Sequence, residues 1–219
     1  MKQIVSKDYH DYFIKDGEFI GRFEDMYQNV EDPWHIDRLG RRLDMDAALL
    51  LLTHAGRPFH RILDVGCGKG LFTSFLAERI SGRIHAFDVS KTAIESARQR
   101  YRNPRIDFFV FDANGMDRLP YRADSFDLIV LAQTLWCILP NLKKVLDRFY
   151  LLLEKRGGLL ISQHFLPPDR QQYGRDILST PEDCGVTSRK RDLKSKPAWR
   201  RTAGTTTIWR FWPRLVLRS

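Results

Sequence analysis

The densest chemical signal in this 219-residue chain is Ile62-Leu63-Asp64-Val65-Gly66-Cys67-Gly68-Lys69-Gly70, an apolar strand running into three closely spaced glycines and then a helical stretch. Glycines at such a bend let the backbone approach a ligand closely and leave the first N–H groups of the next helix facing it, which suits a nucleotide-like ligand. The dinucleotide fingerprint G-x-G-x-x-G would require glycine at position 71, where the chain has Leu71, so NAD and FAD are disfavoured. Alone, the cluster also fits an ordinary strand-to-helix turn, but its company gives it weight. Asp88 ends the second apolar strand 24 residues after Asp64, where a carboxylate can accept both hydroxyls of a ribose. Asp112 ends the third, and Ala132-Gln133-Thr134-Leu135 follows the fourth. In an open α/β sheet, ligands bind beyond the carboxyl ends of the strands near the reversal of strand order, and these residues converge there.

The elements that must position them alternate between apolar β-rich runs and amphipathic helical runs. Strands are expected over 61–65, 83–88, 106–112, 126–131 and 158–162, with helices over 71–80, 90–101 and 141–153. Ser90 and Asn141 stand where N-caps belong, and Pro140 precedes the latter. The expected fold class is α/β, a doubly wound, mostly parallel Rossmann-like sheet with helices on both faces and an atypical C-terminal edge. Residues 44–54 read as a helix with a wide apolar face leading into the first strand. Three regions are expected: an N-terminal cap over 1–46, a core over 47–186 and a basic tail over 187–219.

Composition narrows the function classes. With 43% hydrophobic and 29% charged residues, the chain is an ordinary globule, neither low-complexity nor wholly disordered. No apolar run approaches the ~20 residues of a membrane span, and the charged N-terminus is unlike a signal peptide, so a cytoplasmic location is expected. Cys67, Cys137 and Cys184 lie far apart without paired spacing, so reduced thiols are expected and neither a disulfide framework nor a zinc ribbon is indicated. No metal site is expected. The net charge of +9 sits in the tail: residues 188–219 carry ten Lys and Arg against Asp192 alone, and the remainder balances. A nucleic-acid footprint would therefore have to rest on the last 32 residues.

With these motifs together, the stretch from about residue 46 to 165 resembles a class I S-adenosylmethionine-dependent methyltransferase. The resemblance implies S-adenosylmethionine as cofactor. It implies that the backbone at Gly66, Cys67, Gly68 and Gly70, with Asp64, holds the methionine part. Asp88 would take the ribose, Val89 would lie beside the adenine, and Asp112 with Ala113 would meet the adenine amine. Gln133 would line the methyl-transfer centre. A sulfonium methyl is already activated, so transfer needs mainly alignment of donor and acceptor, and a general base is optional. His35 and His164 are the candidate bases by position, although a histidine so placed also serves as a hydrogen-bonded structural residue. Many small-molecule members carry histidine after the fourth strand, where this chain has Trp136-Cys137-Ile138.

Asp32-Pro33-Trp34, a dozen residues before a helix, is similar to a segment of nodulation-factor N-methyltransferases. Trp34 and Trp136 are candidate substrate contacts, with packing as the alternative for both. Arg41 or Arg42 is placed to reach a cofactor carboxylate by a forked hydrogen bond, with solvation as the alternative. In the tail, Gly185 breaks a helix start at Ser179, and only 205–212 has strand composition, without a visible partner strand. A disordered arm, a divergent sheet end and a reading-frame change each account for that composition. The expected function is methyl transfer to a small-molecule or glycan-type acceptor. The alternatives are a nucleic-acid methyltransferase using the basic tail, and a cofactor-binding pseudoenzyme.

Overall fold

The computed structural model describes Ser6, residues 8–164, Gln171 and residues 173–178, together with the main chain of Ala198–Arg201 and Thr206–Phe211. The chain opens with α1 (His10–Phe13), the two-stranded hairpin β1 (Ile14–Lys15) and β2 (Glu18–Phe19), α2 (Phe23–Asn29) and α3 (Ile36–Leu39). Then come α4 (Leu43–Thr53), β3 (Arg61–Val65), α5 (Leu71–Arg79), β4 (Arg83–Asp88), α6 (Lys91–Arg100) and β5 (Ile106–Val110). A 3-10 turn (Ala113–Arg118) leads to β6 (Phe126–Ala132), and a second (Leu135–Asn141) leads to α7 (Leu142–Leu152) and β7 (Leu153–His164). β8 (Ala198–Arg201) and β9 (Thr206–Phe211) complete the sheet.

The sheet order is β5-β4-β3-β6-β7-β9-β8; the first five are parallel, and β9 runs antiparallel to both β7 and β8. The period-2 alternation of strand side chains builds two cores. Leu63, Val65, Ile129, Leu131, Leu159 and Ile161 face α7 and the 3-10 turns. Ile62, Ile84, Ala86, Leu128, Val130 and Leu160 face Ala48 and Leu52 of α4, Leu76 of α5 and Ile94 of α6. Each fully buried Val, Leu or Ile among them contributes about 1.5–3 kcal/mol. α4 runs across position 46, so cap and core share that helix. A third cluster, Tyr12, Met26 and Tyr27 against Ala93, seats α2 on α6.

Three local expectations differ from the structure. The third parallel strand ends at Val110, and Asp112 instead caps the next turn by accepting the Asn114 N–H at 2.8 Å. Ser90 caps α6 through the Ala93 N–H, but Asn141 makes no side-chain cap; its amide donates to Asn114 Oδ1 at 3.1 Å. The 205–212 strand does have partners: β9 lies between β7, in register Leu159↔Phe211 to His164↔Thr206, and β8. The basic tail therefore closes the sheet, and the partner strand escaped sequence reading because four residues without apolar alternation are too short to signal. The helix start expected at Ser179 lies outside the described residues.

Candidate functional site

The strand order reverses between β3 and β6, and the carboxyl ends there open into a cavity of about 640 Å³. Pockets of ~300–1,000 Å³ are the usual size for small ligands. The bend after β3 forms its floor. The N–H groups of Gly66 and Cys67 both donate to the Phe87 carbonyl at 2.9 Å, drawing the bend across the end of β4. Gly68 N–H donates to Asp88 Oδ2 and Ser90 N–H to Oδ1, each at 2.9 Å, so the bend and the start of α6 fix the Asp88 carboxylate from both sides. Burial pushes the Asp88 pKa above the ordinary carboxylate value, against the pull of the Ser90, Gly68 and Val89 N–H groups. Asp64 is pushed up to about 6 by burial, which the 2.6 Å bond from Thr73 Oγ1 only partly offsets.

Asp64, Gly66, Cys67, Gly68, Asp88, Val89, Asp112, Ala113 and Gln133 all line this cavity, as do His35, His164, Trp34 and Trp136. Val89 offers an apolar side chain 42% exposed, and Asp112 uses Oδ1 on Asn114 while Oδ2 makes no bond among the described residues. Gly70 is the exception. It does not line the cavity; at φ +82° a Cβ there would meet Phe108 Cζ at 2.9 Å and Ala97 Cβ at 3.1 Å. The third glycine thus lets the start of α5 pack against β5 and α6. Cys67 contributes through its main chain, and burial raises its thiol pKa, which keeps it protonated.

At the other end, Gln133 sits in the left-handed region at φ +59° and ties β6 to β7. Its N–H donates to the Ser162 carbonyl at 2.7 Å, and its Oε1 accepts from the His164 N–H at 3.1 Å. Its Nε2 donates to Asp44 Oδ2 at 3.3 Å, and Asp44, 8% exposed, is held by a forked pair from Arg42 at 2.9 and 2.8 Å. Arg42 lines the cavity, but the edge of its fork carrying Nε and Nη2 is spent on Asp44. Arg41 points elsewhere, to Asp46 and over the Phe75 ring at 5.4 Å. The His164 ring makes no hydrogen bond among the described residues. Burial lowers its pKa, with Asp44 pulling it up and Arg42 pushing it down, so the ring is neutral near neutral pH.

The cap roofs the cavity with aromatic rings. Trp34 packs 5.1 Å from Tyr9 and 6.0 Å from Phe13, and its indole N–H donates to Tyr27 Oη at 2.9 Å. Its polar end is thus spent inside the cap while the residue lines the cavity. The Trp136 indole N–H similarly donates to the His164 carbonyl at 3.0 Å. His35 stands at φ +54°, 6.4 Å from the Tyr9 ring. Sequence reading missed Tyr27, Asp44 and Glu24. An acid at the start of the apolar 44–54 helix, shared with Asp46, was the available signal for Asp44; Tyr27 and Glu24 had none, because their partners lie far along the chain.

The residues fit a nucleoside bearing an amino-acid arm. One acid ends β4, a second caps the turn that follows β5, an exposed valine follows the first, and a side chain at Gly68 would run into Tyr27 Oη at 2.8 Å. Residues 62–157 match the sequence model described as "Methyltransferase domain". The chain is 31% identical to Methyltransferase GfsG of Streptomyces halstedii over 74% of its own length and 59% of that protein's. To Nodulation protein S of Rhizobium tropici it is 35% identical over 49% of its length and 43% of that protein's. The chain thus spans about half the length of these curated relatives. Among solved structures, N-methyltransferase NodS from Bradyrhizobium japonicum, in complex with S-adenosylhomocysteine, shares the fold at a TM-score of 0.63 and 20% identity, covering 83% of this chain and 92% of that one. The PH0226 protein of Pyrococcus horikoshii aligns at a TM-score of 0.63 and 17% identity, over 76% of this chain and 87% of that one.

Proposed function

Because the chain, through residues 62–157, belongs to the class I S-adenosylmethionine-dependent methyltransferase family, we propose that it moves a methyl group from that cofactor to a small-molecule acceptor of glycan type. The observation that carries the acceptor reading is that one cavity is lined both by the cap aromatics Tyr9, Phe13 and Trp34 and by the polar Gln133 and His164. Aromatic faces combined with hydrogen-bonding groups suit the apolar and polar faces of a sugar ring, and a pocket of this size suits a small ligand rather than a duplex.

The cofactor supplies an electrophilic methyl on a sulfonium, which needs alignment more than acid–base help. In this reading Asp88 accepts the ribose hydroxyls, Val89 lies against the adenine, and Asp112 Oδ2 accepts from its amine. The bend at Gly66 and Gly68 carries the amino-acid arm. Gln133 holds the backbone of His164, so that the neutral imidazole takes a proton from an acceptor hydroxyl or ammonium at its free ring nitrogen. Trp136 fixes the same residue from its carbonyl side.

Calorimetry with S-adenosylhomocysteine tests the cofactor half: micromolar binding is expected, and absence of heat overturns it. Turnover against a panel of aminosugars and small alcohols tests the acceptor half. His164→Gln should lower kcat at least tenfold and flatten its rise with pH on the acid side, since burial lowers the imidazole pKa and leaves the proton acceptor neutral at neutral pH. Salt-sensitive binding to RNA or duplex DNA, with methylation of either, would establish the nucleic-acid alternative; cofactor binding without any turnover would establish the pseudoenzyme.

A further inference from the structure

The cap delivers one polar group whose bonding is incomplete. Tyr27, on α2, is 8% exposed and lines the cavity. Its hydroxyl oxygen accepts from the Trp34 indole at 2.9 Å and lies directly on the glycine bend, 2.8 Å from where a Gly68 Cβ would stand. The hydroxyl proton has no acceptor among the described residues. A buried donor left unspent costs about 1–3 kcal/mol, and a phenol that already accepts a bond becomes a better donor. Burial, then the Asp88 charge, raise its pKa well above the ordinary value, so it stays protonated.

The surroundings favour an anion at that point. The N-terminus of the nine-residue α5 begins at Leu71, whose first N–H groups have no intrahelical acceptor, and Leu71 and Phe72 both line the cavity. Lys69 lines it too, with its ammonium tethered to the Glu31 carbonyl and 3.8 Å from Asp37. Asp64 and Asp88, the nearby acids, are engaged by Thr73 and by the Gly68 and Ser90 N–H groups.

We propose that the Tyr27 hydroxyl, oriented by Trp34, donates its hydrogen bond to the α-carboxylate of the cofactor, making the cap a direct part of the cofactor site. This rests on the cofactor reading above. It also gives a physical reason for Gly68: a side chain there would occupy the place of the phenol oxygen. Trp34 in turn acts as a positioning residue, through Tyr27.

The test compares two ligands by calorimetry on the full chain: S-adenosylhomocysteine, and its decarboxylated analogue, which keeps the adenosine, the thioether and the amine. Tyr27→Phe should weaken S-adenosylhomocysteine about tenfold and the analogue less than twofold, shrinking the preference of the native protein for the carboxylate. Trp34→Phe keeps the phenol but frees its orientation, and should shrink that preference about threefold; it also serves if Tyr27→Phe does not fold. Equal weakening of both ligands in these variants, or no change in either, overturns the role of Tyr27 while leaving the cofactor site intact. Failure of the native protein to bind either ligand overturns the cofactor reading, and this inference with it.

Discussion

Glu24 of α2 ties the cap to the core by three hydrogen bonds at the start of α6, and its removal should be felt both in stability and in cofactor affinity. Its carboxylate accepts from Ser90 Oγ at 2.6 Å, Thr92 Oγ1 at 2.7 Å and Thr92 N–H at 3.2 Å, all at the start of α6, two residues beyond Asp88. Burial pushes its pKa up, but these bonds and one from Gln28 outweigh that and hold it at about 2 against an ordinary 4.5. That displacement is worth roughly 3 kcal/mol before screening, and a carboxylate this open to solvent keeps about 1–2 kcal/mol of it. Since the folded pKa is depressed, the stabilisation is complete above the unfolded value of 4.5 and fades as pH falls toward about 2. Glu24→Gln should therefore lower the thermal midpoint by about 3–6 °C near neutral pH. In urea titrations its cost should fall to less than half by about pH 3. S-adenosylhomocysteine should bind several-fold more weakly, because Ser90 also fixes Asp88. A cost that is the same at both pH values would refute the reasoning, since it would mean that the charge of Glu24 is not what holds the cap.

Gly70→Ala should cost about 2–3 kcal/mol in urea unfolding, from a Cβ at positive φ pressed on Phe108 and Ala97, while leaving cofactor affinity per folded molecule unchanged; a loss of affinity without a loss of stability would return Gly70 to the ligand site. Deleting residues 198–219 should uncover the Leu159–His164 edge of β7, giving aggregation on gel filtration and a lower thermal midpoint. A monodisperse truncation with an unchanged midpoint would show that β9 is dispensable. The same deletion is a poor probe of nucleic-acid binding, because strand loss and charge loss come together.

Much of this protein is written locally. The strand alternation at Leu63/Val65 and Ile62/Asp64 sorts itself onto two faces by period alone, the glycine bend announces close backbone approach, and Asp88 lies where a strand-end acid belongs. These are short-range properties, set by side-chain direction and by the steric freedom of glycine, and they sufficed for the fold class and for most of the residues that line one end of the cavity. The remainder came from contacts between distant segments. That Gly70 packs while Gly66 and Gly68 line the cavity depends on where Phe108 lies. That Gln133 links Asp44 to His164 depends on the start of α4 meeting the ends of β6 and β7. Tyr27 and Glu24 acquire roles only because α2 lands on α6 and on the glycine bend. The edge formed by β8 and β9 shows the same division: a strand's composition is local, but its partner is chosen by backbone hydrogen bonds that can form only after the chain has come together.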